Sequence, residues 1–468
     1  MRSRSPLPFA LKFLAVAFLA SLAACGPSVD PRHPARTPLA DQWYARASES
    51  YRAGDFDDAT VSAKSALQAA PSDPEIRTLA GRIALCRLEY HEALKLTEGL
   101  QTTDVHGIRG RAYWYGGDIE QAADELEAML QDPAVKDPWA HDIAALARRG
   151  QGRHPFAMEG ALVAVVEMPK AGPALIVPVE LEGENILALV ATASGEVVID
   201  SSSRREAAWV NLRFADRIEV KDVPALAQDL SGVSRQLGAP IKALLGSNLL
   251  RHIHATFDRR GDQFVVRRED PAPPPDASRL PLAYIRGGGM LARVGLAGKD
   301  AGLTPMLVDS AALFPMALGD AEWKKAGVDL ASLHPDPNAN NMKTGTVPAI
   351  KLGAFDLPKV PAVEGASLAD VRANVDIDVG GIVGAGLLYL FRVTMGEDGR
   401  FAWLEPDPTL LQDSSAVRPS PPPPSDAVTP PPPARPGPAE SSAPKAAAPA
   451  PAKPATPAKP PPARKGTP

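Results

Sequence analysis

Apolar side chains recur at three- and four-residue intervals between about residues 40 and 150. This spacing puts them on one face of a helix and predicts an all-α segment. After Arg153 the pattern changes to short apolar runs, such as 162–166 and 186–190, which are typical of β-strands. A Pro-rich break at 270–276 divides these runs into two sets. We therefore expect a mainly β region that is built from two halves.

A pattern of small and aromatic residues repeats within the helical stretch. Three positions recur after 34 residues: Ala47, Phe56 and Ala59 are followed by Gly81, Tyr90 and Ala93. They recur again after 29 residues, as Gly110, Ile119 and Ala122. The pattern resembles the tetratricopeptide repeat, in which small residues stand where paired helices approach closely. For 40–150 the resemblance implies a solenoid of three helical pairs and a closing helix, with a concave face that binds a peptide or protein.

The two β halves share one order of features. Each has an apolar strand and then a small polar turn, at 191–194 in the first half and at 309–312 in the second. Each then has two apolar residues and a glycine, at 244–246 and at 382–384, before a short helix and a closing strand. The duplication predicts two lobes with a common fold.

This order resembles the lobe of the retropepsin-like and pepsin-like aspartic proteases, over residues 157–268 and again over 279–406. In that family each lobe supplies one Asp at the first turn position. The two carboxylates share a proton, because adjacent like charges cannot both ionise easily. The resemblance implies that the hydroxyls of Thr192 and Ser310, at the second position, build a hydrogen-bonded brace between the lobes.

The first and third turn positions depart from the family pattern. Asp309 fills the first position of the second half, but Ala191 fills it in the first half, and alanine can neither hold nor share a proton. The third position, which is Gly in the family, is Ala193 and Ala311. We therefore expect a module that binds proteins or peptides without cleaving them. Asp309 is the candidate catalytic residue in case the module does cleave. The alternative is an active aspartic endopeptidase, in which a homodimer forms the dyad from Asp309 of each chain.

The sequence predicts no cofactor and no metal site. His252 and His254 alternate on an expected strand and face one side, but no third ligand is evident near them. We interpret them as half-exposed strand histidines. Cys86 lies inside the second repeat, and we interpret it as a small buried hydrophobe.

The N-terminus predicts export. Three basic residues within 1–12 precede an apolar run at 13–24, which is too short to cross a bilayer as a helix. A basic start followed by a short apolar core is typical of a secretory signal peptide. The run ends in Leu22-Ala23-Ala24-Cys25, which resembles the bacterial lipobox.

The lipobox implies that 1–24 is removed as a signal peptide and that Cys25 carries the acyl chains, palmitate among them, that hold the protein on a membrane. Four prolines make 25–39 an extended tether. We expect a lipid-anchored protein of the bacterial cell envelope that faces the periplasm. Gly26 follows the cysteine where Asp would favour the inner membrane, so we expect the outer membrane.

Proline is concentrated at the other end of the chain. Of the 50 prolines, 20 lie in 419–468. Few apolar groups remain over 407–468 to offset the ordering entropy, so we expect a disordered Pro/Ala-rich tail. Its positive charge suits contact with an anionic cell-wall polymer, and a solubilising role is the alternative. The net charge of −5 for the whole chain argues against nucleic acid as a partner.

Replacement of Cys25 tests the lipid anchor. Cys25→Ala removes the thiol that would be acylated, so we expect the protein to move from the membrane fraction to the soluble fraction. Mass spectrometry of the wild-type protein should find a lipid-modified cysteine at the mature N-terminus. Cys86→Ala is the matched control and should leave the protein on the membrane. A mature chain that begins elsewhere contradicts the prediction and favours an ordinary cleavage site.

Overall fold

The computed structural model describes residues 36–296, 302–336 and 342–406, apart from 367, 369, 370, 373 and 374. The predicted signal peptide, the lipidation site Cys25 and the Pro/Ala-rich tail lie outside the described residues. None of the described helices combines the length and the apolar character that crossing a bilayer requires.

The described chain begins with three pairs of helices and a closing helix, which we call the helical segment. Its helices are α1 (Pro38–Arg52), α2 (Phe56–Ala69), α3 (Pro74–Cys86), α4 (Tyr90–Thr97), α5 (Thr103–Gly116), α6 (Ile119–Leu130) and α7 (Pro138–Arg148). An Asp or Thr precedes six of them and accepts a hydrogen bond from a backbone N–H of the first turn. These caps satisfy N–H groups that have no partner inside the helix, and so determine where each helix starts.

Small residues let the paired helices approach closely. A Cβ on Gly81 of α3 would lie 2.7 Å from the side chain of Thr97 on α4, and a Cβ on Gly110 of α5 would lie 2.7 Å from Leu126 on α6. Carbon atoms cannot come so close without displacement of a neighbour. Cys86 is fully buried at the end of α3, and burial raises the pKa of its thiol to about 12, so it is a packing residue.

The chain then forms a first group of strands, which we call lobe 1. Its elements are β1 (Ala157–Gly160), β2 (Val163–Glu167), β3 (Ile176–Leu181), β4 (Glu184–Ala191), β5 (Val197–Asp200), β6 (Ala208–Phe214), β7 (Ile218–Gln228), α8 (Ser231–Leu237), β8 (Ile241–Gly246), α9 (Ser247–His252), β9 (Thr256–Asp258) and β10 (Gln263–Arg267). Seven strands follow the order β1-β7-β5-β8-β4-β3-β6, and β6 also pairs with β7. The sheet is therefore closed and barrel-like.

A second group of strands, lobe 2, repeats this plan. Its elements are β11 (Ser278–Ile285), β12 (Gly289–Gly295), β13 (Leu303–Asp309), β14 (Met316–Leu318), α10 (Asp320–Lys325), β15 (His334–Pro335), β16 (Lys343–Leu352), β17 (Phe355–Glu364), β18 (Gly381–Gly384), α11 (Ala385–Leu388), β19 (Phe391–Gly396) and β20 (Phe401–Pro406). The order β12-β13-β18-β14-β17-β16 closes on itself, because β16 also pairs with β12.

One sheet joins the two lobes. Strands β2, β10 and β9 of lobe 1 continue into β19, β20 and β11 of lobe 2. At the junction β9 pairs antiparallel with β19, and the hydroxyl oxygens of Thr256 and Thr394 lie 3.0 Å apart. Both threonines are buried. Equivalent residues of the two lobes thus meet at the centre of the shared sheet, within one chain.

The helical segment packs against both lobes. Tyr51 of α1 shares an apolar cluster with lobe 2, and its hydroxyl donates to Asp376 at 2.9 Å. On the side of lobe 1, the indole N–H of Trp209 donates to the carbonyl of Leu146 on α7 at 3.0 Å. Apolar burial and buried hydrogen bonds therefore hold the helices on the lobes.

The prediction of helices followed by a sheet-rich region in two halves is confirmed. The assignment of His252 and His254 to a strand is wrong. His252 is the last residue of α9, and His254 lies in the turn after it with a φ of +42°. The adjacent Leu249 and Leu250 are both fully buried. One turn of helix can bury two neighbouring side chains on the same side, whereas neighbouring side chains of a strand point to opposite faces of the sheet.

Candidate functional site

Two equivalent turns follow parallel strand pairs. In lobe 1, β4 runs parallel to β8, and Ala191 pairs with Gly246. In lobe 2, β13 runs parallel to β18, and Asp309 pairs with Gly384. Ala191 and Asp309 therefore hold equivalent positions at the starts of their turns.

The side chains of Thr192 and Ser310 join these turns by four hydrogen bonds, which we call the brace. Thr192 Oγ1 accepts from the N–H of Ser310 at 3.0 Å and donates to the carbonyl of Val308 at 2.6 Å. Ser310 Oγ accepts from the N–H of Thr192 at 3.2 Å and donates to the carbonyl of Val190 at 2.7 Å. Both side chains are fully buried. Every bond of the brace crosses the boundary between the lobes, so the brace brings both turns to that boundary.

A glycine lies against each turn. A Cβ on Gly246 would lie 2.1 Å from the carbonyl oxygen of Glu196, and a Cβ on Gly384 would lie 2.0 Å from that of Phe314. Both distances are far below van der Waals contact, and the obstructing atoms are backbone. Only glycine fits at these two positions, which explains the apolar-apolar-glycine pattern in both halves of the sequence.

Asp309 supplies the carboxylate at the first turn positions. Its Oδ1 accepts from the N–H of Ala311 at 2.9 Å. Within the part of the chain that the structure describes, no basic side chain forms an ion pair with it. Burial raises the pKa of Asp309, and hydrogen bonds from the N–H groups of Ala311 and Ala312 oppose that rise. The carboxylate is therefore partly buried and has no basic ion-pair partner among the residues that the structure describes.

A methyl group occupies the equivalent position in lobe 1. Ala191 is buried, with 4% of its surface exposed, and has no group that can exchange a proton. The two first turn positions thus provide one group that can hold or release a proton, the carboxylate of Asp309.

Both turns accommodate alanine at the third position. Neither Ala193 nor Ala311 has a positive φ, so this position does not require the left-handed conformation that favours glycine. The carbonyl oxygen of Ala193 faces Gly289, where an added Cβ would lie 2.8 Å from that oxygen. The close approach to this turn is therefore made at Gly289, on the neighbouring hairpin.

Glu196 is a buried carboxylate beside the lobe 1 turn that sequence reasoning did not select. Its Oε1 accepts from the indole N–H of Trp114 at 3.2 Å and from that of Trp139 at 3.1 Å. Burial raises the pKa of Glu196, and the indole donors oppose the rise. The tryptophans lie on α5 and α7, so this contact ties the helical segment to the turn. The sequence signal for Glu196 is a difference between the two halves, because Phe314 occupies the equivalent position in lobe 2.

Arg251 of α9 makes a second link between lobe 1 and the helical segment. Its guanidinium lies 5.5 Å from the ring centroid of Tyr90 and 5.8 Å from that of Tyr115. It also donates to the carbonyl of Tyr115 at 3.3 Å and to the side chain of Asn248 at 2.9 Å. Cation–π contacts and hydrogen bonds therefore hold α9 against α4 and α5.

The histidines singled out in the sequence take part in packing. His252 Nδ1 lies 2.7 Å from the carbonyl of Asn248, and its ring stacks on Phe156 with centroids 4.2 Å apart. Burial lowers the pKa of His252 to about 3, so the ring is neutral. Across the described residues, no group of His, Cys, Asp and Glu is arranged to hold a metal ion.

Comparison with known proteins gives partial likenesses of fold. No family model matches the chain, and no curated protein matches it in sequence. An aspartic proteinase from Irpex lacteus aligns with 53% of this chain and 98% of its own, at 10% identity and a TM-score of 0.34. A retropepsin-like aspartic protease from Rickettsia conorii aligns with 28% of this chain and 91% of its own, at 18% identity and a TM-score of 0.22. The TPR domain of Arabidopsis OM64 aligns with 24% of this chain and 92% of its own, at 13% identity and a TM-score of 0.21.

Thr192→Val tests the brace, because valine keeps the shape of threonine and lacks the hydroxyl. The N–H of Ser310 and the carbonyl of Val308 then lose a partner, and a buried group left in this way costs about 1–3 kcal/mol. We expect a lower free energy of unfolding in a urea titration. Thr78→Val is the matched control, since Thr78 donates to the Pro74 carbonyl within its own helix. Equal effects of the two substitutions would show that the brace adds nothing.

Asp309→Asn tests the desolvated carboxylate through the pH dependence of stability. Burial raises the folded-state pKa above 3.8, so the stability that the carboxyl contributes is present below about that pH and is lost as the pH rises through the folded pKa. Asparagine keeps the oxygen that faces the Ala311 N–H and cannot ionise. We expect the variant to be more stable than wild type near pH 7, with a difference in urea midpoint that shrinks toward about pH 4. Asp216→Asn, at an exposed aspartate, is the matched control for the substitution itself.

Proposed function

We propose that this chain is a lipid-anchored protein of the bacterial cell envelope that binds proteins or peptides without cleaving them. In this proposal the helical segment is a tetratricopeptide-like solenoid, and the two lobes form an aspartic-protease-like module. The observation that carries the proposal is the brace, which joins the turns that begin at Ala191 and Asp309 within one chain.

One carboxylate is insufficient for the family's reaction. Peptide hydrolysis needs a base that takes a proton from water and an acid that gives one to the leaving amine, and such a proton transfer is worth about 10²–10⁴-fold in rate. Asp309 can fill one role at a time, and Ala191 fills neither. The hydroxyls of Thr192 and Ser310 are used in the brace, so they do not replace the missing group.

The alternative, an endopeptidase with Asp309 of two chains as its dyad, requires lobe 2 of one chain to pair with lobe 2 of another. Ser310 already exchanges hydrogen bonds with lobe 1, and β19 already pairs with β9. A dimer of that kind would have to break both contacts and satisfy the released buried groups again. The pairing within one chain therefore supports the non-catalytic proposal.

The anchor and the tail belong to the same proposal. Cys25 would carry the acyl chains, and the tether would lead to α1, whose first residue is Pro38. We place the protein on the periplasmic side of the envelope, with the outer membrane favoured. The tail at 407–468 would contact a cell-wall polymer or keep the protein soluble. Nucleic acid, metal ions and cofactors have no part in the proposal.

A cleavage assay tests the absence of catalysis. We expect wild-type protein to release no pepstatin-sensitive products from denatured casein at about pH 4 or about pH 7. Ala191→Asp supplies a carboxylate at the equivalent position, and Ala193→Gly with Ala311→Gly restores the family's third residue. We expect the triple variant to gain more activity than Ala191→Asp alone, because it carries the family's complete turn sequence in both lobes.

Asp309→Asn within the triple variant is the matched control and should abolish any activity gained. Pepstatin-sensitive cleavage by the wild-type protein, if Asp309→Asn abolishes it, would overturn the proposal. In that case sedimentation of the active species should show a dimer, and the alternative would replace the binding function.

A further inference from the structure

A cavity of about 540 Å³ lies where the helical segment meets lobe 2. Helices α3 and α5, the residues just before α7, the turn between β11 and β12, and the residues before β18 contribute to its wall. Its size is within the range of pockets that hold small ligands or a few residues of a peptide. Neither turn of the brace lines it, so it is separate from the site around Asp309.

Two arginines in the wall are already paired. Arg82 lies 2.6 Å from Asp376 and 3.2 Å from Asp104. Arg111 lies 2.6 Å from Asp137. These pairs compensate the charges of the acidic residues in the wall, and the two arginines are not available to an incoming anion.

Two further cations, Arg286 and Lys136, are exposed and face the same cavity. Neither forms a salt bridge with an acidic residue among those that the structure describes, although Arg286 lies close enough to Asp137 to contribute to the lowered pKa of that carboxyl. The wall thus carries four basic and three acidic side chains, and the surplus charge is positive. A ligand that carries a carboxylate would complement it.

The backbone at Arg286 is held in an uncommon conformation. Its φ is +49°, in the left-handed region where glycine is favoured over a residue with a long side chain. Contacts from the helical segment fix the turn: the N–H of Arg286 bonds to the Cys86 sulfur, and a Cβ on Gly287 would lie 2.8 Å from the Tyr115 ring. Helices α3 and α5 therefore hold the Arg286 side chain at the mouth of the cavity.

The remainder of the wall includes apolar side chains. Leu85 and Ile108 come from α3 and α5, Met129 comes from α6, and Val135 precedes α7. Water next to these groups would be released when an apolar side chain enters. The cavity thus offers an apolar surface beside a surplus of positive charge.

We propose that this cavity binds a peptide segment in which a carboxylate side chain lies next to an apolar residue. Arg286 and Lys136 contact the carboxylate, and the side chains from α3, α5 and α6 contact the apolar residue. The inference rests on the proposed peptide-binding function, and it adds the location of one site and the chemistry of its ligand. A dense polyanion fits less well, because Asp104, Asp137 and Asp376 share the wall with the cations.

Selection from random dodecapeptides displayed on phage tests the proposal with the purified full chain. We expect the enriched peptides to carry Asp or Glu beside a Leu, Ile, Val or Met. Synthetic copies labelled with fluorescein should bind with a Kd that rises about tenfold or more in the double variant Arg286→Gln/Lys136→Gln. Replacement of the acidic peptide residue by its amide should weaken binding to the wild-type protein similarly, and added salt should weaken it as well.

The double variant Arg217→Gln/Lys324→Gln is the matched control, since it removes two exposed cations outside the cavity, and it should bind like wild type. Thermal melting checks that both double variants are folded. If the enriched peptides bind the Arg286→Gln/Lys136→Gln variant as tightly as the wild-type protein, the proposed site is wrong. The proposed peptide-binding function then still stands. Failure to enrich any peptide would contradict both. Tighter binding of linear inorganic polyphosphate, lost in the Arg286→Gln/Lys136→Gln variant, would reassign the cavity to a polyanion.

Discussion

The hydrogen bonds between Thr192 and Ser310 are the interaction on which the arrangement of the lobes depends. Both hydroxyls are buried, and each finds its donor and its acceptor on the other lobe. A buried polar group without a partner costs about 1–3 kcal/mol, so neither lobe can bury its turn without the other. In the shared sheet, the buried hydroxyl groups of Thr256 and Thr394 likewise provide a hydrogen-bond partner for each other. The two lobes are therefore obligatory partners within one chain.

The helical segment is held by a related constraint. Glu196 follows the lobe 1 turn and is buried, and a buried carboxyl group requires hydrogen-bond partners. Trp114 and Trp139 provide them from α5 and α7. Phe314, at the equivalent position in lobe 2, has no polar side-chain group that requires a partner. The helical segment is thus an integral part of the structure around lobe 1, and the junction of the helices with lobe 2 is where an open, charged cavity remains.

The features that the sequence predicted are those set by local geometry. Thr192 and Ser310 could be identified because a parallel strand, a turn and a glycine recur in the same order in both halves. His252 was misassigned, because a span of a few residues does not distinguish one helical turn from a strand. The contacts of Glu196 could not be predicted, since its donors lie 82 and 57 residues away in another part of the fold. Distant pairing of this kind leaves no periodic pattern in the chain.

Some residues of the two turns are required by backbone packing, and others would be required only by catalysis. Gly246 and Gly384 are required by the backbone, because a Cβ at either would lie about 2 Å from a carbonyl oxygen. A carboxylate at position 191 has no such structural role; it would place a second desolvated charge beside Asp309, and each would raise the pKa of the other. With Ala191 in its place, burial alone raises the pKa of Asp309. The two turns contain the groups that packing needs and lack one that only shared proton transfer needs, which is the physical reason for our proposal of a binding module.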